Sequence, residues 1–264
     1  MVEEAFRFSV VVPTKDRPAL LARALRSALE QRFDDFEIVV ADDGSGDGAA
    51  LARDMVGGNL QTIVTGKLGQ VPARNMAIAA ARGRSIAFLD DDDHWADPWH
   101  LEALAAALDS GAGLVCSDGR IVREGPGAKP DDWIPITADL DPARLRRDNT
   151  LIVSGVAYDR ALHTALGPLD ETLPHYWDWD WYLRLAVAHT PFAAARKSDV
   201  HISVRHDTVS APSNEEARRS ELARLCEKHG LVGVTLKNHE IIALEQQVQL
   251  RPVDLRLRER RSAH

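Results

Sequence analysis

Apolar and polar positions follow two distinct rhythms along the first hundred residues. Phe8–Val12, a β-branched run, and Phe36–Ala41, Thr62–Thr65 and Ser85–Leu89 are short runs that stop at Pro, Gly or Asp, the profile of buried strands. Between them, apolar residues recur every three or four positions. Leu20, Leu21, Ala24, Leu25, Ala28 and Leu29 follow Pro18, an alanine-rich stretch spans Val71–Arg82, and Leu101, Leu104, Ala105 and Leu108 follow Asp97-Pro98. These spacings predict helices, and Pro18 suits a first helical turn because its missing N–H needs no partner there. Strands alternating with helices predict an α/β fold, an open, mostly parallel twisted sheet with right-handed crossovers and flanking helices. Ligands bind such sheets beyond the carboxyl ends of the strands. The polar loops after Val12, Ala41 and Leu89 all fall there, so three loops converge on one expected pocket.

The remainder is less regular. Gly111 to about Thr150 reads as strands broken by a long loop containing Gly125-Pro126-Gly127, Asp131, Asp132 and Trp133. Helical spacing returns at Ala161–Leu166 and Trp177–Ala188, and His201–His206 reads as a last strand. After Pro212 the apolar positions Ala217, Leu222, Leu225, Cys226, Ile241, Ile242, Leu244 and Val248 are again helical, and the basic end Arg256–Arg261 is expected to fray. The best boundary lies at Ala211-Pro212. It divides a main domain, 1–211, with halves 1–110 and 111–211, from a helical extension, 212–264, that either covers the sheet or forms a homodimer contact.

Composition narrows the function classes. With 264 residues, 45% hydrophobic and 27% charged, the chain is long enough for one large globular domain with an appendage. Thirty-two basic against forty acidic side chains leave a net charge of −8, which argues against a nucleic-acid partner. Cys116 and Cys226 form no CxxC pair, so neither a disulfide framework nor a cysteine zinc site is expected. The start lacks the basic and apolar regions of a secretory signal, and no apolar run reaches the ~18 residues of a membrane span, so a cytoplasmic protein is expected.

The carboxylates carry the candidate chemistry. Asp90-Asp91-Asp92-Asp93 ends a strand, and such crowding is costly unless a cation or hydrogen-bond donors relieve it. Asp90-x-Asp92 places two carboxylates on one side of an extended backbone, suited to Mg²⁺ or Mn²⁺, while Asp93 and Asp97 are read as caps of the next helix. Asp43, Ser45, Asp47, Gly48 and Asp54 echo calcium-loop spacing, but the segment follows a strand and ends in the shorter Asp, so an EF-hand is rejected. Asp42-Asp43-Gly44-Ser45 reads either as a base-binding loop or as a plain turn. Trp177-Asp178-Trp179-Asp180-Trp181 suits a sugar site, with indole faces for C–H groups and a carboxylate to take a hydroxyl proton, or else a capped helix with core anchors.

Four segments, ordered over residues 8–210, make the sequence resemble the family 2 glycosyltransferases of the GT-A fold. Val10-Val-Val-Pro-Thr-Lys-Asp-Arg17 looks like the opening strand and loop, and Ile38-Val-Val-Ala-Asp-Asp-Gly-Ser45 like the second strand and base-binding turn. Gly69-Gln-Val-Pro-Ala-Arg-Asn75 through Phe88-Leu-Asp-Asp-Asp-Asp-His-Trp95 resembles the G-x-x-x-A-R-N helix and D-x-D strand end. Trp177 through Leu185 resembles the E-D-x-[DE]-x-x-L-R-L helix, preceded by Gly167-Pro-Leu-Asp-Glu171 in place of G-x-F-D-E. Trp177 stands where the family carries Glu, and Leu169 where it carries Phe.

The resemblance implies a Rossmann-like nucleotide-binding half and a metal-dependent transferase, usually inverting. It would move a sugar from a UDP- or dTDP-sugar to a hydroxyl or amine of a sugar, lipid-linked or small-molecule acceptor. It implies nucleotide-sugar contacts from Pro13, Thr14, Arg17, Asp42, Arg74, Asp90 and Asp91, metal ligation by Asp92 and His206, and Asp178 as general base. Trp177 and Trp179 are the expected acceptor platform. The lack of membrane spans argues against a processive polysaccharide synthase. The alternatives are a degenerate nucleotide-sugar-binding module and a nucleotidyltransferase.

Overall fold

The computed structural model describes residues 5–124, 132–204 and 215–248. Strands β1 (Phe6–Thr14), β2 (Phe36–Asp42), β3 (Leu60–Val64) and β4 (Gly83–Phe88) form a parallel block in the order β3-β2-β1-β4. Helices α1 (Pro18–Leu29), α2 (Asp47–Met55) and α3 (Gln70–Ala80) connect them, and α4 (His100–Asp109), α5 (Pro142–Leu145) and α6 (Leu162–Leu166) follow in chain order. Val10–Val12, Ile38–Ala41 and Ile86–Phe88 are buried throughout rather than at alternate positions, as strands covered on both faces must be.

Pro13 continues β1 rather than ending it. The Val11 carbonyl accepts the Leu89 N–H from the β4 side, so alternation turns Pro13 to that same side, just beyond the last β1–β4 pair, Val11↔Phe88. A residue without an N–H is tolerated where the ladder has stopped. On the other edge Pro13 and Thr14 stay in register with Ala41 and Asp42.

Beyond β4 the sheet changes direction. Its order continues through β8 (Val156–Asp159), β6 (Leu114–Arg123), β9 (Phe192–Val204) and β5 (His94–Trp95), with β7 (Trp133–Ile136) pairing β6. β8 is antiparallel to both β4 and β6, while β6 and β9 are parallel. The sheet is therefore mixed: the expected parallel order holds for its first half and fails where β8 is inserted in reverse. β9 also exceeds the strand expected at 201–206, because Ala193–Ala195 and the charged residues after them hide its first half from pattern reading. A β-bulge between Ser117 and Asp118 adjusts β6 to it. Helix α2 begins within the polar loop expected after Ala41 and is entered through Gly46 at φ 95°.

The C-terminal extension packs on the second half. Helix α8 (Glu215–His229) lies against α7 (Trp177–Val187): Lys228 Nζ and His229 Nε2 reach Asp180 Oδ1 at 2.7 and 2.8 Å, and Glu221 accepts from the His175 N–H at 2.8 Å. A further helix over 239–248 is tied to β7 and its following loop through Gln247 and Gln246. Among the described residues no helix is long and apolar enough to cross a membrane.

Candidate active site

The carboxylates of Asp90, Asp92 and Asp93 converge at the end of β4, each offering an oxygen within 4.8 Å of the others. Burial pushes the Asp92 carboxyl above its ordinary range, and the neighbouring Asp90 charge adds to it. Asp93 is pushed further by burial and by both neighbours. Two arginines meet the cluster: Arg74 Nη2 lies 2.5 Å from Asp90 Oδ1, and Arg17 Nη1 lies 3.0 Å from Asp92 Oδ2. Ser154, in the 3₁₀ turn Val153–Gly155, accepts the Asp90 N–H at 3.0 Å and donates its hydroxyl to Asp93 at 2.6 Å. The Ser203 N–H from β9 donates to the other Asp93 oxygen at 3.1 Å. Asp93 thus belongs to the cluster rather than to a helix cap. His206, the other expected metal ligand, lies outside the described residues.

Several residues expected to contact the donor also hold the loops together. Asp42 is 1% exposed and accepts from the main-chain N–H groups of Gly44 and Ala49 at 2.8 and 3.0 Å, closing the turn and the start of α2. Asp91 is equally buried: it accepts the Thr14 hydroxyl at 2.7 Å and the Arg17 Nε at 3.2 Å, and burial raises its pKa to about 6 despite Arg17 and Thr14. The Thr14 hydroxyl is given to Asp91, and its carbonyl accepts the Asp43 N–H. Asp43 is the carboxylate that spans three loops. It accepts from the Thr65 hydroxyl at 2.6 Å and the Gly69 N–H at 3.1 Å, with Lys15 Nζ at 3.4 Å. Burial opposes its ionisation, and these donors outweigh it, holding its pKa below the usual value. Gly69 reaches Asp43 with φ 110° and ψ 161°, a conformation that essentially only glycine adopts.

Helix α7 supplies the second half of the site. Its first turn holds Asp178 and Asp180, where the helix dipole favours negative charge. Asp178 Oδ2 accepts from Asn149 Nδ2 at 2.8 Å, and burial raises its pKa against the opposing charge of His239 and hydrogen bonds from the Trp179 N–H and Asn149. It borders a pocket whose other walls include Asn149, Tyr176, Lys237 and His239. Both Trp177 and Trp179 are only 4% exposed, which corrects the expected open platform. Trp177 is enclosed between Arg74 and Phe88, and the Trp179 indole N–H donates to the Leu145 carbonyl at 2.7 Å while its ring borders the pocket. Asn75 joins two of the motifs: it accepts the Leu169 N–H and donates to the Leu169 carbonyl, both at 3.0 Å.

Pattern reading missed Asp43, Asn149, Ser154, Ser203 and His239. Asp43 and Asp93 sat beside residues chosen in their place, whereas Asn149 and Ser154 fall in the segment without periodicity and His239 in the extension without a motif.

A parallel nucleotide-binding block ending in an acidic cluster, joined to a mixed half that contributes a buried carboxylate, defines a glycosyltransferase of the GT-A fold. The chain belongs to glycosyl transferase family 2, whose sequence model matches residues 9–163. It is 30% identical over 261 residues to YwdF, an uncharacterized glycosyltransferase of Bacillus subtilis, covering 93% of this chain and 92% of that one. Over 33% of the chain and 35% of the relative it is 32% identical to the Escherichia coli UDP-Glc:alpha-D-GlcNAc-diphosphoundecaprenol beta-1,3-glucosyltransferase WfgD. Among solved structures it is similar in fold to S. aureus TarS 1-349 in complex with UDP-GlcNAc, with a TM-score of 0.64 at 20% identity over 88% of this chain and 68% of that one.

Proposed function

We propose that the protein is an inverting, metal-dependent glycosyltransferase that moves a sugar from a uridine or thymidine diphosphate donor to an acceptor hydroxyl or amine, with Asp178 as general base. The observation that carries this is the bridge between two sites: Arg74 touches Asp90 of the acidic cluster and lies over the ring of Trp177, the residue before Asp178. The residue that would meet the donor diphosphate is thereby next to the residue that would deprotonate the acceptor. The UDP-sugars named for the matched WfgD and TarS proteins support a uridine nucleotide.

Asp90, Asp92 and Asp93 would hold Mg²⁺ or Mn²⁺. The donor set is all oxygen, and the mutual repulsion that adds to burial in raising the Asp92 and Asp93 pKa values is what a cation relieves. Bound there, the cation supplies charge neutralisation for the departing diphosphate. The side chains do the rest. Arg17 and Arg74, which grip the aspartates in the free protein, turn their donors to the phosphate oxygens. Asp43 holds Lys15 and the loops after β2 and β3 around the nucleotide. Asp178, enclosed and poised above the ordinary carboxylate range, takes the acceptor proton within ~2.6–3.2 Å as the acceptor oxygen attacks opposite the leaving group.

The test is release of UDP from UDP-glucose and UDP-GlcNAc, and of dTDP from dTDP-glucose, by purified protein with Mn²⁺, beside Asp178→Asn. Turnover by the wild type with loss of about 10²-fold or more in the variant, at unchanged donor affinity, is expected. Failure to bind or turn over any uridine or thymidine diphosphate sugar overturns the proposal.

A further inference from the structure

Asp93 closes a tight turn on Asp90, its N–H donating to the Asp90 carbonyl at 3.1 Å. That bond leaves the Asp92 carbonyl needing a donor of its own, on a turn that crowds carboxylates against one another. The donor comes from helix α1. Arg23 Nη2 donates to the Asp92 carbonyl and, at 2.8 Å, to the Ser203 hydroxyl, while Nη1 donates to Glu124, the residue after β6. Ser203 of β9 completes the connection: its hydroxyl donates to the same Glu124 oxygen at 3.0 Å, and its main-chain N–H donates to Asp93 Oδ1 at 3.1 Å. Ser154 returns the path to its start, donating to Asp93 Oδ2 and accepting the Asp90 N–H. The acidic turn is thus held at its entry by the 3₁₀ turn and at its exit by α1 and β9. Arg17 and Arg74 differ in kind, since they hold the carboxylate oxygens Asp92 Oδ2 and Asp90 Oδ1. Arg23 grips a main-chain oxygen, so it can stay in place when those carboxylates take a ligand.

From this geometry, and resting on the reading of Asp90, Asp92 and Asp93 as the cation site, we infer that Arg23 is a positioning residue for that site: with Ser203 and Glu124 it fixes the Asp92–Asp93 peptide so that both side chains converge with Asp90. Each carboxylate repels its neighbours, and a loose turn would splay them apart before a cation arrived. Holding them together in the folded chain places that cost on folding and leaves less of it to binding. Glu124 accepts from both Arg23 and Ser203 and so keeps the guanidinium aimed at the turn. The role runs against simple electrostatics. A guanidinium beside a cation site repels the cation, so by charge alone Arg23 would weaken metal binding. By geometry it strengthens binding, and the two effects are opposite in sign.

Electron paramagnetic resonance of free Mn²⁺, in titrations of the full-length protein with UDP present, reads metal affinity without turnover. Arg23→Met, which keeps the apolar stem, is expected to weaken Mn²⁺ binding by about tenfold while UDP affinity in EDTA stays unchanged. Ser203→Ala, which spares the N–H to Asp93, should give a smaller loss in the same direction. Arg23→Lys, one point charge in place of a fork of donors, should recover only part of the affinity. Unchanged or tighter Mn²⁺ binding in Arg23→Met overturns the inference, as does an equal loss of UDP affinity with and without metal, the mark of a general disturbance of the fold. If Arg23→Met does not fold, the two charge-preserving variants carry the test, and wild-type Mn²⁺ affinity in both overturns it. A wild-type UDP complex that takes up no Mn²⁺ overturns the cation-site reading itself and the positioning role with it, whereas the variant results strike the positioning role alone.

Discussion

The guanidinium of Arg74 lies over the indole of Trp177, its Cζ 4.5 Å from the ring centroid. This contact accounts for the tryptophan that stands where the family motif carries a glutamate. A carboxylate at that position would pair with a cation, and the π-face of the indole offers the same cation a weaker but still attractive surface. Arg74 keeps its place against Asp90, so the departure from the motif alters the chemistry of the support and not the position of the arginine.

Trp177→Leu should therefore disturb both stability and donor binding. Loss of the buried ring and of its contacts with Arg74 and Phe88 is expected to cost about 2–4 kcal/mol, with a raised donor KM, whereas Trp177→Phe should retain most of both. Urea unfolding midpoints and steady-state kinetics on the two variants measure this.

Chelation with EDTA should abolish transfer, and Mn²⁺ or Mg²⁺ should restore it. Asp92→Asn, which keeps the shape but removes one charge from the cluster, should lower kcat/KM by about two orders of magnitude or more. Titration calorimetry of UDP with and without Mn²⁺ should show that the variant loses the metal-dependent part of nucleotide affinity.

Adjacent aspartates after β2 should separate cleanly. Asp42→Ala removes the acceptor of two buried N–H groups and should cost about 2–4 kcal/mol of stability. Asp43→Ala releases Lys15, Thr65 and Gly69 from one another, so weaker nucleotide binding should exceed its effect on the unfolding midpoint.

Asp180 makes a prediction about acid. Burial opposes its ionisation, but His229, Lys228 and Arg184 outweigh this and depress its pKa. A depressed folded-state value contributes stability that is full above the unfolded-state pKa of about 3.9 and is lost as pH falls through the lower, folded-state value. The stability gap between wild type and Asp180→Asn should therefore be about 3–5 kcal/mol and flat from pH 7 to pH 5, then narrow below about pH 4. Unfolding followed across that range by circular dichroism would reveal a gap that widens toward acid if the assignment is wrong.

Much of the first half was legible because its strands are continuous apolar runs and its helices amphipathic, as at Val10–Val12 and Leu21–Leu25. The direction of β8 was not, since a short buried strand such as Val156–Asp159 looks the same whichever way it runs. At the site, the Asp90–Asp93 run announced itself by charge density. Which carboxylate faces inward was hidden, because Asp42 and Asp43, like Asp91 and Asp92, differ only in which hydrogen bonds the fold brings to them. His239 and Asn149 carried no signal, as only the fold brings them to the pocket that Asp178 borders.

The three nitrogen partners of Asp180 bear on how such enzymes can be recombined. A chimera joined at residue 211 would keep every motif by which the family is recognised. It would also exchange Lys228 and His229 for whatever a foreign extension provides, leaving an enclosed carboxylate with Arg184 as its native companion. A workable seam lies upstream of Gly167, so that α7 and the segment that closes over it are inherited together.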